Sequence, residues 1–218
     1  ITTNTERRMF LEKQGVDVEI EYPFTEDFMN MEPEAFIEEI LIGRLHAKYV
    51  VVGTDYHFGK GRMGNAQMLL ERGPEYGFET TIVEKERYQE REISSTYVRE
   101  ELRLGHMETV NVLLGRPYSI YGIVSKGKQL GRQLNLPTLN IYPPDSKLLP
   151  PNGVYASVTR LDGKEYFGVT NLGVRPTLDD SPLLSVETNL FDYNDDAYGH
   201  YIEVQLMHLS LIHISEPT

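Results

Sequence analysis

Leu114-Gly115-Arg116-Pro117-Tyr118 divides the sequence into two parts with different hydrophobic patterns. Glycine readily ends a helix and proline cannot continue one, so this stretch predicts a clean break. Before it, segments with helical periodicity alternate with apolar, strand-like segments. After it, short β-branched and aromatic segments are separated by turn residues. We therefore predict a boundary near residue 116, with one domain over 1–116 and a second over 117–208.

The first part has the pattern of an α/β domain. Helices are predicted over residues 5–15, from Pro33 onward and over 95–104, and residues 16–20 alternate like a strand. Tyr49-Val50-Val51-Val52 is wholly apolar, which is typical of a strand buried on both faces of a parallel sheet. We expect a mostly parallel sheet with helices on its faces.

The second part has the pattern of an antiparallel barrel. Six strand-like segments follow one another with no long helix between them. Asp162-Gly163 is a strong hairpin signal between two of these segments. The predicted strands cover residues 118–124, 138–142, 154–160, 166–170, 185–191 and 201–207.

Composition limits the function classes. The chain of 218 residues carries a net charge of -12, which argues against broad binding to nucleic acids or anionic membranes. It has no cysteine, so disulfides, zinc–thiolate sites and thiol nucleophiles are excluded. No apolar run reaches the roughly 18–20 residues that a membrane-spanning helix needs. We expect a cytoplasmic protein that acts on small molecules, and composition leaves its oligomeric state open.

One cationic stretch stands out against this acidic background. No Asp or Glu lies between Glu108 and Asp145, whereas Gly127-Lys128-Gln129-Leu130-Gly131-Arg132 falls in that interval. Glycines allow close backbone approach, and free N–H groups together with Lys and Arg suit an anion. A basic surface hairpin is the alternative interpretation.

Two stretches of the first part could also bind a ligand. Gly53-Thr54-Asp55-Tyr56-His57-Phe58-Gly59 follows an apolar strand, and ligands of open α/β sheets bind at the carboxyl ends of strands. Ile93-Ser94-Ser95-Thr96-Tyr97-Val98-Arg99 places three hydroxyls at a helix start, where free N–H groups favour phosphate. The alternatives are a glycine-rich turn for the first stretch and an ordinary helix N-cap for the second.

These motifs together resemble one family. Gly53-x-Asp55-Tyr56-x-Phe58-Gly59, Ile93-Ser94-Ser95-Thr96-x-Val98-Arg99 and Leu114-Gly115-Arg116-Pro117-Tyr118 occur in the order and at the spacing of the bacterial bifunctional riboflavin kinase/FAD synthetase family. The resemblance covers residues 5–207. It implies an FMN adenylyltransferase module of the nucleotidyltransferase α/β fold, which is Rossmann-like, followed by a riboflavin kinase barrel.

For the first module, the resemblance implies that Ser94, Ser95, Thr96 and Arg99 hold ATP phosphates. It also implies that the loop with Gly53, Asp55, Phe58 and Gly59 lies near the flavin and the nucleotide. The family's Gly-x-Phe-Asp-Gly-x-His-x-Gly-His stretch does not occur in this sequence. We therefore expect the module to be incomplete here, with FMN adenylylation impaired, and a longer parent protein to carry that stretch.

For the second module, Pro137-Thr138-x-Asn140 matches the family's Pro-Thr-Ala-Asn motif, with Leu139 in place of alanine. Thr138 and Asn140 are two residues apart, so in a strand both side chains point to one face. A hydroxyl and an amide oxygen are hard ligands suited to Mg²⁺. The loop with Gly127, Lys128, Gly131 and Arg132 would cover the phosphates of ATP.

Glu187 is the candidate catalytic base. In Val186-Glu187-Thr188-Asn189-Leu190 it shares a strand face with Asn189, and the resemblance places it at the position of the family's catalytic glutamate. Without the resemblance, a glutamate on a solvated strand face would be the simpler interpretation. With it, Glu187 would deprotonate or align the ribityl hydroxyl of riboflavin.

The end of the sequence departs from the family. Residues 209–218 match no family stretch, so we interpret them as a non-family tail and expect the barrel to lack its closing segment. Two rival functions remain at this stage. One is a flavin- or nucleotide-binding protein without catalysis, and the other is an oligonucleotide-binding barrel, which the net charge of -12 disfavours.

Overall fold

The computed structural model describes residues 1–125, 138–176 and 182–210, and for residues 174–176, 182 and 183 only the backbone. These residues form two compact units. The large unit combines Ile1–Asp17 with Ile93–Thr218, and the small unit is Val18–Glu92. These units are defined by the contacts between residues. The expected boundary near residue 116 concerns the two family modules, and it stays a prediction. Helix α1 (Asn4–Lys13) opens the large unit.

The small unit consists of short helices and two-stranded sheets. Its central pair is β1 and β4, which run parallel with Tyr49 opposite Glu79 and Gly53 opposite Val83. The elements are α2 (Glu26–Met29), α3 (Pro33–Ala35), a π-helix (Phe36–Arg44), β1 (Tyr49–Gly53), β2 (His57–Phe58), a 3₁₀-helix (Lys60–Arg62), β3 (Gly64–Asn65), α4 (Ala66–Tyr76), β4 (Glu79–Val83), β5 (Arg87–Tyr88) and β6 (Arg91–Glu92).

The core of the small unit lies on one side of β1. Val50 and Val52 pack against buried Ile37 and Leu69. Tyr49 and Val51, on the opposite face, are 75% and 66% exposed, so the prediction of a strand buried on both faces is wrong. β1 is hydrogen-bonded to β4 alone among the described strands, and the described core covers one face of that pair. The predicted strand over residues 16–20 is also wrong, because in this structure no described strand pairs with it.

The large unit is built around a six-stranded antiparallel sheet, as the sequence predicted. The strand order is β7-β12-β9-β10-β11-β8, and the two edges meet where the Ser125 amide donates to the Asn140 carbonyl, 2.8 Å away. The sheet thereby curls toward a barrel. Its elements are α5 (Ser95–Leu104), α6 (Met107–Leu114), β7 (Tyr118–Ile123), β8 (Thr138–Ile141), β9 (Gly153–Leu161), β10 (Lys164–Pro176), β11 (Pro182–Leu190) and β12 (Tyr201–Ser210).

The hairpin between β9 and β10 turns at Asp162-Gly163. Both residues have positive φ, 49° and 76°, which matches a two-residue turn of the type that follows strand twist. This turn fixes the pairing of Leu161 with Lys164 and therefore the register of the whole β9–β10 ladder.

Asn111 links helix α6 to two strands of the sheet. Asn111 donates from Nδ2 to the Leu206 carbonyl at 3.0 Å and accepts from the Tyr118 amide at 2.7 Å. The amide therefore joins α6 to β12 and β7 at once. Among the described helices, none is both long and apolar enough to cross a bilayer.

Helix α1 is anchored to the rest of the large unit by a buried ion pair. Lys147 Nζ lies 2.7 Å from Glu6 Oε2, and the two side chains are 2% and 5% exposed. Lys147 also donates to the Ser119 carbonyl at 2.7 Å and lies 4.5 Å from the centre of the Tyr118 ring. Burial lowers the pKa of Lys147, and Glu6 opposes that shift. The ammonium group thus has both a counter-charge and a hydrogen-bond acceptor, which a buried charge needs.

We predict that Glu6→Gln lowers the free energy of unfolding by about 3 kcal/mol, because it leaves the Lys147 charge buried without a counter-charge. Urea denaturation of the two proteins measures the difference.

The matched control is Glu165→Gln, which removes an exposed ion pair with Arg160 in the same unit. We expect that change to cost less than about 1 kcal/mol. Equal losses in both variants would show that the Glu6–Lys147 pair does not anchor α1.

Candidate functional site

Four polar side chains share one face of the β8–β11 ladder. Glu187 is directly opposite Asn140, and Asn189 is directly opposite Thr138. Residues opposite each other in an antiparallel pair project to the same side. Leu139 and Thr188, which alternate with them, are 7% and 1% exposed and project into the barrel core. The register therefore brings together the predicted base and both predicted metal ligands.

Asn140 has an unusual hydrogen-bond state. It is 3% exposed, and its Nδ2 donates to the Thr138 carbonyl at 3.3 Å. Its Oδ1 is buried and accepts no hydrogen bond from any residue that the structure describes. A buried oxygen with a free lone pair costs stability unless something binds it. Asn140 Oδ1 thus offers a hard oxygen ligand, which fits a hydrated or phosphate-bound Mg²⁺.

The polar row continues beyond these two strands. Asn171 of β10 is directly opposite Glu187 on the other side of β11, and Ser125 bridges to Asn140. Glu187 therefore lies in the middle of a row that crosses three strands. Asn189 was noted in the sequence as a neighbour of Glu187, but the alignment with Asn171 depends on strand pairing that periodicity does not reveal.

The loop expected to cover the ATP phosphates lies outside the described residues. It contains Gly127, Lys128, Gly131 and Arg132. Their role stays a prediction from the sequence.

The loop that follows β1 in the small unit borders an aromatic cavity of about 780 Å³. Tyr56 stacks on Phe58 with ring centres 5.8 Å apart, and Phe36 lies 5.1 Å from Phe58. Gly59 has a φ of 71°, and a Cβ there would lie 2.9 Å from Pro33, so only glycine fits. The cavity is lined by Phe24, Phe28, Met29, Phe36, Gly53, Asp55, Tyr56, His57, Phe58, Gly59 and Arg62.

The predicted loop residues Gly53, Asp55, Phe58 and Gly59 all border this cavity. The sequence reasoning missed the aromatic wall that Phe24, Phe28 and Phe36 supply. The sequence signal for this wall is the clustering of these phenylalanines in an otherwise acidic and polar stretch. Flat aromatic walls of this kind suit a planar ring system.

Asp55 is held by a cation at the rim of the cavity. Lys85 Nζ lies 2.7 Å from Asp55 Oδ2, and Glu92 also lies 3.5 Å from the ammonium group. The hydrogen bond from Lys85 lowers the pKa of Asp55 below its ordinary value. Asp55 is therefore a carboxylate at neutral pH, oriented by a residue 30 positions later in the chain that sequence reasoning did not identify.

The predicted phosphate-binding residues at the start of α5 form two groups. Ser94 is the N-cap, with its side chain accepting from the Tyr97 amide at 3.2 Å. Ser95, Thr96 and Arg99 are exposed on the first turns. These residues belong to the large unit, whereas the loop with Asp55 belongs to the small unit. The two parts of the predicted adenylyltransferase site thus lie in different units.

Two family models match the chain. A model described as FAD synthetase matches residues 1–97, and one described as riboflavin kinase matches residues 114–210. The second match contains the β8–β11 face, and the first contains the aromatic cavity.

Several curated proteins are similar over most of the chain, all described as bifunctional riboflavin kinase/FMN adenylyltransferase. The Bacillus subtilis protein is 37% identical over 89% of this chain and 62% of its own length. The Haemophilus influenzae protein is 39% identical over 91% and 64%. The protein of Buchnera aphidicola subsp. Schizaphis graminum is 35% identical over 94% and 67%. The chain spans somewhat under two thirds of the first two relatives.

A solved structure has the same fold. It is described as a macrolide-efflux protein from Streptococcus pneumoniae, is 28% identical, and superposes with a TM-score of 0.82. The match covers 98% of this chain and 69% of the other.

We predict that Lys85→Met raises the pKa of Asp55 toward its ordinary value, because the charged hydrogen bond that favours the carboxylate is lost. Since the folded pKa is depressed, any stability from the pair is present above the unfolded pKa and lost as pH falls through the folded one. Carboxyl NMR titration measures the shift.

Lys60→Met serves as the control, because Lys60 pairs with Glu32 at 3.4 Å and not with Asp55. The Asp55 pKa should stay unchanged in that variant. An unchanged pKa in Lys85→Met would rule out Lys85 as the cause of the shift.

Proposed function

Because the chain belongs to the family of bifunctional riboflavin kinase/FMN adenylyltransferases, we propose that its barrel phosphorylates riboflavin to FMN with ATP. The observation that carries the proposal is the β8–β11 face, where Glu187 lies opposite Asn140 and Asn189 opposite Thr138. A kinase of this kind needs a base for a hydroxyl and ligands for a metal–nucleotide complex. In the proposal, Glu187 is the base and Thr138 and Asn140 are the ligands, and all three lie on two neighbouring strands.

Glu187 acts as the general base in this proposal. Its place between Asn171 and Asn140 lets it accept the proton of the ribityl 5′-hydroxyl as that oxygen attacks the γ-phosphorus of ATP. The bond between the γ-phosphorus and the bridging oxygen breaks, and ADP leaves. Asn171 and Asn189 flank the carboxylate and are placed to orient the hydroxyl and the transferred phosphoryl group.

Thr138 and Asn140 would hold Mg²⁺ together with the phosphates of ATP. Bound there, Mg²⁺ would neutralise charge on the phosphates. The buried, unpaired Oδ1 of Asn140 supports this assignment. Gly127, Lys128, Gly131 and Arg132 complete the phosphate site in the proposal, on the strength of their sequence match alone.

We propose FMN adenylylation to FAD as the second activity of the family protein. Within this chain, the aromatic cavity beside Asp55, Phe58 and Gly59 would receive the flavin ring, and its flat walls support that assignment. Ser95, Thr96 and Arg99 would contact ATP phosphates, because they are exposed at the start of α5, where amide groups favour anions. Ser94 would shape that helix start as its N-cap.

We propose that these reactions take place in the cytoplasm. Both consume ATP, and a chain with no cysteine is suited to a reducing compartment. The substrates are riboflavin, FMN and ATP.

The kinase proposal predicts that Glu187→Gln lowers kcat for FMN formation by about 100-fold or more, because the isosteric amide cannot accept the proton. The chain is incubated with riboflavin, ATP and Mg²⁺, and chromatography resolves FMN from FAD. With FMN as the starting substrate, the same assay reports adenylylation.

Glu165→Gln is the matched control, since Glu165 lies on β10 but pairs with Arg160. We expect it to retain the parental rate. A Glu187→Gln protein that forms FMN at the parental rate would overturn the base assignment. Riboflavin binding without ATP consumption by the unaltered chain would favour a non-catalytic flavin binder.

The metal assignment predicts that Asn140→Ala weakens binding of ADP in the presence of Mg²⁺ by about tenfold or more, because one oxygen ligand is lost. Calorimetry with Mg²⁺ and with a chelator separates the metal-dependent component, which should shrink selectively. Asn194→Ala, on an exposed loop, is the control and should bind like the parent. Equal weakening with and without Mg²⁺ would contradict the assignment.

A further inference from the structure

A chain of buried hydroxyls lies directly behind the candidate kinase site. Thr170 Oγ1 donates to Ser157 Oγ at 2.8 Å and lies 2.9 Å from Thr188 Oγ1. The three residues are 0–3% exposed and belong to β9, β10 and β11. Because Thr170 has one proton and gives it to Ser157, Thr188 must donate to Thr170. The hydrogen bonds therefore run in one direction across three strands.

Thr188 is the point where this chain meets the site. It lies between Glu187 and Asn189 in sequence and is directly opposite Leu139, which lies between Thr138 and Asn140. The four polar side chains of the outer face thus belong to the residues directly before and after Thr188 and directly before and after Leu139. A shift of Thr188 along its strand would move Glu187 and Asn189 by the same amount.

We propose that Ser157, Thr170 and Thr188 are positioning residues that fix the register of β10 and β11 and so hold Glu187 in line with Asn171 and Asn140. The alternation of buried and exposed residues forbids a slip of one residue but tolerates a slip of two. After a slip of two, Thr188 would face Gly168 or Leu172 instead of Thr170, and Glu187 would face Val169 or Gly173.

The hydroxyl chain penalises that slip. Neither Gly168 nor Leu172 carries a hydrogen-bonding side chain, so the Thr170 and Thr188 hydroxyls would be buried without each other. Gly168 adds a second constraint on the register, because it is opposite Leu190 and a Cβ at this position would clash with the Asn189 carbonyl oxygen. A slip would bring a residue with a Cβ to this position. A core of aliphatic side chains alone would not distinguish these registers so sharply.

The experiment compares Thr170→Val with Thr170→Ser in the 218-residue chain. The inference rests on the proposed kinase function. The variants are therefore compared by their kinetics and also by a measurement that does not depend on activity. We expect Thr170→Val to lower kcat for FMN formation about tenfold while the KM values for riboflavin and ATP change less than about twofold, because the base is displaced but the binding groups remain. Thr170→Ser retains the hydroxyl and should keep the parental kcat.

The second measurement is amide hydrogen exchange of β11, followed by mass spectrometry. We expect exchange about tenfold faster in Thr170→Val and unchanged in Thr170→Ser, because only the valine breaks the hydroxyl chain. If Thr170→Val does not fold, Thr188→Val replaces it, since Thr170 then still donates to Ser157.

Thr159→Val is the matched control from the same core. Thr159 is 0% exposed, and its Oγ1 has no partner within the described part of the chain. Its kcat and exchange should equal those of the parent. A Thr170→Val protein that matches Thr159→Val in both measurements would overturn the proposal. If the parent forms no FMN, the kinase proposal fails, while the exchange comparison still tests the register.

Discussion

The candidate kinase site depends on the register between β8 and β11. Thr138, Asn140, Glu187 and Asn189 form one group because the antiparallel pairing sets each opposite another. The side-chain period of two then sends Leu139 and Thr188 into the core. The same pairing thus builds the hydrophobic interior and the polar outer face. A change that shifts one strand relative to the other alters stability and chemistry together.

Helix α1 and the Glu6–Lys147 pair extend this rigid frame. A buried ion pair is seldom a net gain over apolar packing, but its geometry is demanding, so it specifies one arrangement of the elements it joins. Lys147 contacts Glu6 of α1 and the Ser119 carbonyl of β7. Through Lys147, β7 is thereby joined to a helix that lies more than one hundred residues earlier in the chain.

The sequence predicted those features that local periodicity encodes. The six antiparallel strands and the common face of Thr138 and Asn140 follow from alternation, and the α1 and α5 helices follow from caps and apolar spacing. Periodicity does not identify partners. Residues 16–20 alternate but pair with no described strand, and Val51 is apolar yet 66% exposed. Lys85 beside Asp55 and Asn171 beside Glu187 likewise required tertiary structure, because each pair is separated by many residues.

Asn140 carries a buried side-chain oxygen that accepts no hydrogen bond from the described residues. A buried acceptor without a hydrogen bond costs roughly 1–3 kcal/mol. Elsewhere in the same sheet, Thr170 and Thr188 satisfy each other at 2.9 Å. On its inner face the sheet thus pairs the Thr170 and Thr188 hydroxyls, whereas the Asn140 oxygen is left open among the described residues of its outer face. A ligand that coordinates this oxygen would recover the lost free energy on binding. The unpaired atom therefore gives the proposed binding of a metal–nucleotide complex at this face a physical basis.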